Sequence, residues 1–201
     1  GGIGPSAHNE GFTVDYDLPN LSAYQETCAS VAMCLWNHRL ALLYGDAKYA
    51  DALERALYNG VLAGVSQDGR RFFYVNPLES RGNHHRSEWF GCACCPPNVA
   101  RTLASLGGYG YATSSNALWV NLYVAGSAKA MVGQHELTLK VETDYPWDGK
   151  VTLRPEMVSP ATFELRMRVP GWCRGATLKV NGKAPGQVVT VSTAGGTSAP
   201  V

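Results

Sequence analysis

Gly91-Cys92-Ala93-Cys94-Cys95-Pro96-Pro97-Asn98 places three of the chain's six cysteines within four residues and follows them with two prolines. Proline fixes φ and lacks a backbone donor, so the run predicts irregular backbone at Cys94 and Cys95 that leads straight into a helix. That helix is expected over 98–106, with Val99, Leu103 and Leu106 at helical spacing and Gly107-Gly108 as its stop. Unpaired N–H groups and the helix dipole at such a terminus favour the thiolate, the form of sulfur that binds metal or attacks carbon.

Upstream, Glu26-Thr27-Cys28 stands near the start of a helical pattern that begins at Ala23 and carries Val31, Cys34, Leu35, His38, Leu42 and Leu43 on one broad face, closed by Tyr44-Gly45. Residues two apart diverge on a helix but share a face of an extended segment. If Glu26 and Cys28 are to hold one ion together, the helix must therefore begin after Cys28. A second helix is expected from Asp46, a plausible N-cap, through Tyr49, Leu53, Ala56, Leu57 and Val61. The short connection makes the two an antiparallel hairpin. Cys34 and His38 are spaced i, i+4 and could share a metal, yet the place of Cys34 on the apolar stripe favours core burial, and His38 reads as a satisfied polar residue.

Arg71 to Asn76 reads as a short strand ended by Pro77, and the polar stretch 79–89 holds His84 and His85, read as loop residues or else as substrate contacts. After Tyr111 the period changes to two. Alternation runs through 117–124, 136–141, 150–153, 162–169 and 177–180, and Val180-Asn181-Gly182-Lys183 is a strong hairpin signal. The overall expectation is an α+β chain, with helices over residues 1–112 and a β-sandwich over 113–191. Residues 192–201 are small and polar and are expected to be disordered.

With 201 residues, 45% of them hydrophobic, the chain can bury one large core or two small ones. A net charge of +1 and no basic run interleaved with aromatics exclude nucleic acid as the expected partner. No apolar run reaches the roughly 18 residues of a membrane helix, and no basic-then-apolar leader opens the chain. A cytoplasmic location is the expectation, with the start at Gly1 suggesting an incomplete piece. The six cysteines, Cys28, Cys34, Cys92, Cys94, Cys95 and Cys173, are too sparse for a stapled scaffold. Metal ligation, disulfide pairing and ordinary buried thiols all remain open from spacing alone.

Taken together, Glu26-x-Cys28, the later Cys92-x-Cys94-Cys95-Pro96-Pro97-Asn98, Gly1-Gly2-Ile3-Gly4 leading to Glu10, Tyr74-Val75-Asn76-Pro77-Leu78 and Pro170-Gly171-Trp172 resemble glycoside hydrolase family 127, the bacterial β-L-arabinofuranosidases. The resemblance implies the C-terminal part of an (α/α)6 barrel followed by an antiparallel β-sandwich, as a fragment of a longer protein. It implies a zinc ion held by Glu26, Cys28, Cys94 and Cys95, with Cys94 as nucleophile and Glu10 as general acid/base. Tyr74, Cys92 and His8 would lie near the sugar. The implied substrate is a plant-derived arabinofuranoside oligosaccharide or glycoconjugate.

Three readings follow. The first is a retaining glycosidase releasing L-arabinofuranose. The second is a non-catalytic carbohydrate-binding protein whose Cys3Glu zinc site is structural, and the third is a redox protein using the Cys94-Cys95 pair. A structural zinc site is closed by four protein ligands and needs no free carboxyl group, so the placement of Glu10 separates the first two.

Overall fold

The computed structural model describes residues 4, 10–11, 13–17, 19–184, 190–192 and 198–200. Two compact units divide the chain, one comprising 1–43 with 52–105 and the other 44–51 with 106–201.

The first unit is helical. Helix α1 spans Thr27–Tyr44 and α2 spans Ala47–Ala56, which continues through a π-type turn at Leu57–Val61 and a 3-10 turn at Leu62–Gly64. Asp46 caps α2 as its sequence suggests, its Oδ1 accepting the Lys48 N–H at 2.9 Å. The expected antiparallel arrangement is present. Cys34 Sγ donates to the Leu53 carbonyl at 3.6 Å, and a Cβ on Gly60 or Gly64 would fall 2.2 Å from Ser30 Oγ or 2.9 Å from Thr27 Cγ2. Gly60 and Gly64 therefore lie too close to the Ser30 and Thr27 side chains to carry a Cβ without displacing them.

That close packing accounts for the burial of Thr27 and Ser30, and the rest of the helix also departs from the expected apolar face. The buried residues of α1 are Thr27, Ser30, Val31, Cys34 and Asn37, small or self-satisfied, with Asn37 Nδ2 donating to the Met33 carbonyl at 2.9 Å. Leu42 and Leu43 are exposed instead, as are Met33 and Trp36. Helix α3 spans Cys95–Ser105, earlier than expected, and takes both prolines into its first turn, where the missing donors have no helical partner to lose. It buries Cys95, Pro96, Val99 and Thr102, while Leu103 is exposed. The short helix α4, Gly107–Gly110, belongs to the second unit. The strand expected over 71–76 is reduced to isolated bridges, Phe72 with Val65 and Ser87, and Val75 with Glu26.

The second unit holds two three-stranded sheets. Strands β1 (Tyr111–Ser114), β2 (Ala117–Val120) and β6 (Glu164–Met167) form one, in the order β1-β2-β6. Strands β3 (Gly126–Val132), β4 (His135–Thr143) and β5 (Val151–Met157) form the other, antiparallel throughout. One pair departs from the all-antiparallel expectation: β2 and β6 run parallel, with Leu118 opposite Leu165. Period-two alternation buries Leu137, Leu139 and Val141 of β4 on one face, where they join Leu118, Val120, Tyr123 and Val132 in a single apolar core. The Val180–Lys183 turn forms as read, with Asn181 and Gly182 both at positive φ, although 177–180 makes only that bridge. The tail expected to be disordered, 192–201, is described only at Ser192 and 198–200, where β7 (Thr190–Ser192) pairs with β8 (Ser198–Pro200); its other residues lie outside the described ones. Among the described residues no helix is long and apolar enough to cross a membrane.

The most concentrated polar contact of this unit is internal. Arg168, with its side chain 1% exposed, donates through Nη1 to Asp51 Oδ1 at 2.6 Å and through Nε to the Asn121 carbonyl at 2.6 Å. Asp51 Oδ2 accepts the Gly171 N–H at 2.9 Å, which pins the Pro170-Gly171 turn. Breaking such a pair strands a buried charge. Asp51→Ala is expected to lower stability by about 3 kcal/mol, and adding Arg168→Met to recover most of that loss, as read from urea unfolding midpoints.

Candidate metal centre

Three separate stretches of the first unit converge on one point. Residues 25–27 enter α1 in extended form against 74–76, with the Thr27 N–H on the Tyr74 carbonyl at 2.9 Å and the Asn76 N–H on the Gln25 carbonyl at 2.8 Å. Glu26 is therefore the last extended residue and Cys28 lies in the first helical turn. The helix begins one residue before Cys28 rather than after it, and the pair still converges because Glu26 remains outside the helix.

The third stretch is the N-terminus of α3. Cys94 Sγ lies 3.3 Å from Cys28 Sγ and 3.3 Å from Glu26 Oε1; Cys95 Sγ lies 3.1 Å from Cys28 Sγ and 3.7 Å from Glu26 Oε1. All four ligand atoms fall within 4.8 Å of one another. Glu26 and Cys95 are buried, Cys28 and Cys94 half-buried. All six cysteines are free thiols, so none of these contacts is a disulfide.

The donor set suits a metal. Three sulfurs and one carboxylate oxygen form a tetrahedral set that zinc accepts. Zinc–sulfur bonds of about 2.3 Å put tetrahedral sulfurs about 3.8 Å apart, so the Cys28–Cys94 and Cys28–Cys95 pairs, at 3.3 and 3.1 Å, need to separate by about 0.5 to 0.7 Å. Glu26 makes no ion pair with a Lys or Arg among the described residues, although it is 6% exposed. A buried carboxylate is costly without a cation or strong donors.

Electrostatics corrects the expectation of a lowered thiol pKa at the helix terminus. Burial pushes Cys94 up to about 11, opposed by the Tyr74 hydroxyl and reinforced by Cys28 and Glu26. Cys95 is raised further, first by burial and then by Cys28. The dipole is outweighed because the sulfurs crowd one another away from water. Without a cation these groups hold their protons at neutral pH.

Tyr74 sits across the cluster. Its carbonyl also accepts from Cys95 Sγ at 3.7 Å, and Cys92 Sγ, exposed, donates to its hydroxyl at 3.9 Å. Hydrogen bonding to Cys94, then burial, then bonds to Glu26 and Cys92 hold the Tyr74 phenol far above the usual tyrosine range, so it remains a donor. Its ring meets Phe90 edge-on at 5.4 Å. Glu10 is exposed at a bend, and no contact of its own ties it into the four-atom cluster. Its charge does reach the neighbourhood: Tyr24 is raised by burial, then by Glu26, then by Glu10. His8 lies outside the described residues. His84 is occupied elsewhere, stacked on Phe73 at 5.0 Å with Nε2 2.7 Å from the Val75 carbonyl.

One partner of the cluster has no role in the sequence reading. Asn98 Nδ2 donates to Cys28 Sγ at 3.0 Å, and Arg101 Nε donates to Asn98 Oδ1 at 2.6 Å. The signal available was Asn98 closing the cysteine-proline run, with Arg101 three residues on along the same helix.

The chain matches the model for the catalytic domain of GH127 β-L-arabinofuranosidases over residues 1–108 and that for the GH127 middle domain over residues 117–195. It is 41% identical over 200 residues to a non-reducing end β-L-arabinofuranosidase of Bifidobacterium longum subsp. longum, covering 91% of this chain and 30% of that protein. Its structure is similar to that of a GH127 β-L-arabinofuranosidase from Geobacillus stearothermophilus T6, with TM-score 0.86, 48% identity and coverage of 92% of this chain and 31% of the other. A second GH127 β-arabinofuranosidase structure is similar at TM-score 0.85 and 42% identity, over 100% of this chain and 34% of that one. The chain thus spans about a third of the length of the relatives it matches. With catalytic-domain and middle-domain models together spanning most of its residues, the chain belongs to glycoside hydrolase family 127.

Proposed function

We propose that the protein containing this chain is a retaining glycosidase that releases L-arabinofuranose from β-L-arabinofuranosides of plant-derived oligosaccharides or glycoconjugates. The observation that carries the proposal is the convergence of Glu26, Cys28, Cys94 and Cys95 within 4.8 Å in a chain of this family. These four residues would hold zinc, and the bound cation would supply the positive charge that keeps the sulfurs deprotonated at neutral pH.

Cys94 is the reactive sulfur in this reading, because Cys95 is fully buried and Cys28 is held by Asn98. Its Sγ attacks the anomeric carbon, forming a C–S bond as the bond to the leaving oxygen breaks, and Glu10 gives that oxygen a proton. Water then attacks the same carbon, Glu10 takes its proton, and the C–S bond breaks to release the sugar with Cys94 restored. Two displacements at one carbon retain its configuration. The Tyr74 hydroxyl, kept protonated, donates to the Cys94 sulfur and disperses the charge that returns to it in the second step. Cys92 and His8 are assigned to the sugar side of the site.

The fold proposal is linked to this one. Residues 1–112 form the C-terminal part of an (α/α)6 barrel, and the exposed Met33, Trp36 and Leu43 of α1 mark the face that further helices would cover. The two sheets of residues 113–191 are the β-sandwich.

A structural zinc site in a carbohydrate-binding protein is the second reading, favoured by a donor set that four protein side chains already close. Hydrolysis of p-nitrophenyl β-L-arabinofuranoside by the full-length protein decides between them. Cys94→Ser is expected to abolish turnover while sugar binding persists, and Glu10→Gln to slow it by about 100-fold or more. Unchanged turnover in the Cys94 variant sinks the glycosidase mechanism. In metal-free protein, alkylation of Cys94 by iodoacetamide should be slow at pH 7 and climb as pH rises toward about 11, since a raised pKa delays thiolate formation. A rate that levels off near pH 8 contradicts that electrostatic account.

A further inference from the structure

The thiols of the cluster are unequal in their outer contacts. Cys95 turns to a backbone carbonyl and Cys94 to the Tyr74 hydroxyl and Glu26, whereas Cys28 receives a side-chain amide at 3.0 Å. The orientation of that amide follows from chemistry. Arg101 can only donate, so the Asn98 atom 2.6 Å from its Nε has to be the oxygen. The nitrogen is then the atom that faces Cys28, and a nitrogen bearing two hydrogens meets sulfur as a donor.

Helix α3 fixes this chain of contacts. Asn98 and Arg101 are three apart on one helical face, and the Asn98 carbonyl accepts Thr102 Oγ1 at 2.7 Å while its N–H reaches the Cys94 carbonyl at 3.2 Å. The residue that reaches Cys28 is thus anchored to the same helical turn that carries Cys94 and Cys95.

Resting on the reading of the cluster as a zinc site, we propose that Asn98, oriented by Arg101, is a positioning residue that holds Cys28 as a permanent metal ligand. An N–H aimed at a metal-held sulfur stabilises its lone pairs and restricts its rotation. It thereby ties Cys28 to the metal through the helix that also carries Cys94 and Cys95.

The test uses the full chain with zinc(II) and cobalt(II) as probes, and substitutions at both relay positions. Against a chromophoric chelator, Asn98→Ala is expected to bind zinc about 10–100-fold more weakly than the wild type. Asn98→Asp, nearly the same shape but with an acceptor where the donor was, is expected to bind at least as weakly. Arg101→Ala frees the amide to rotate and is expected to weaken binding several-fold, on the order of the lower end of that range. In the cobalt form, losing the N–H raises the sulfur lone pairs, so the sulfur-to-cobalt charge-transfer band moves to lower energy in Asn98→Ala.

A role confined to helix packing would tolerate Asn98→Asp and leave the band in place. If Asn98→Asp and Arg101→Ala both bind zinc within about twofold of the wild type, the proposal is overturned while the metal site stands. Should the Asn98 variants fail to fold, Arg101→Ala decides alone, because its side chain is exposed. A wild-type chain that takes up no stoichiometric zinc removes the metal reading itself, and this inference with it.

Discussion

The carbonyl of Tyr74 is the point on which the site depends. It accepts the N–H of Thr27, which ends the extended entry to α1, and the S–H of Cys95, which opens α3. One backbone oxygen therefore ties together three stretches that are remote in sequence. Glu26 and Cys28 are delivered from one side and the double cysteine from the other. The approach is possible because Gly60 and Gly64 leave no side chain between α1 and the turns that follow α2.

What that convergence costs is electrostatic. Four proton-binding atoms sit within 4.8 Å of one another, and burial disfavours the charged forms of Cys94 and Cys95. Protons satisfy the cluster in isolation, which is why Cys94 and Cys95 are both raised. A divalent cation can replace those protons and offset the desolvation of several anionic ligands at once, so metal binding and proton release are linked. The same crowding gives the site its asymmetry. Tyr74 stays protonated and lies beside the half-buried Cys94, while Asn98 occupies Cys28 and the fold encloses Cys95.

The second unit follows a different logic, in which apolar burial dominates. Leu118, Leu137 and Leu139 are completely buried, and burying each such side chain contributes about 2 kcal/mol. The Asp51–Arg168 pair adds little net stability beside this but imposes register, since its oxygens and nitrogens reach Gly171 and Asn121 as well. Family membership and geometry meet at the first unit, where the catalytic-domain match contains all four clustered side chains, which could hold a metal.

Some of this was present in the chain before any fold was considered. Period-two alternation in 136–141 announced β4, Asp46 announced the cap of α2, and Asn181-Gly182 announced a turn with two positive φ angles. The cysteine-proline run and Glu26-x-Cys28 marked the candidate ligand types, because thiolates and carboxylates are, with imidazole, the side chains that zinc accepts. Tertiary structure alone decided the rest. It buried Ser30 against Gly60 and Thr27 against Gly64, where close approach outweighs hydropathy, and it left Leu42 and Leu43 exposed. It paired β2 with β6 in parallel, which no local pattern encodes. It raised the thiol pKa values that the helix terminus alone would lower, because desolvation depends on neighbours brought from far along the chain. Residue types are a property of sequence; proximity between distant segments, and the electrostatics that proximity creates, exist only once the chain has folded.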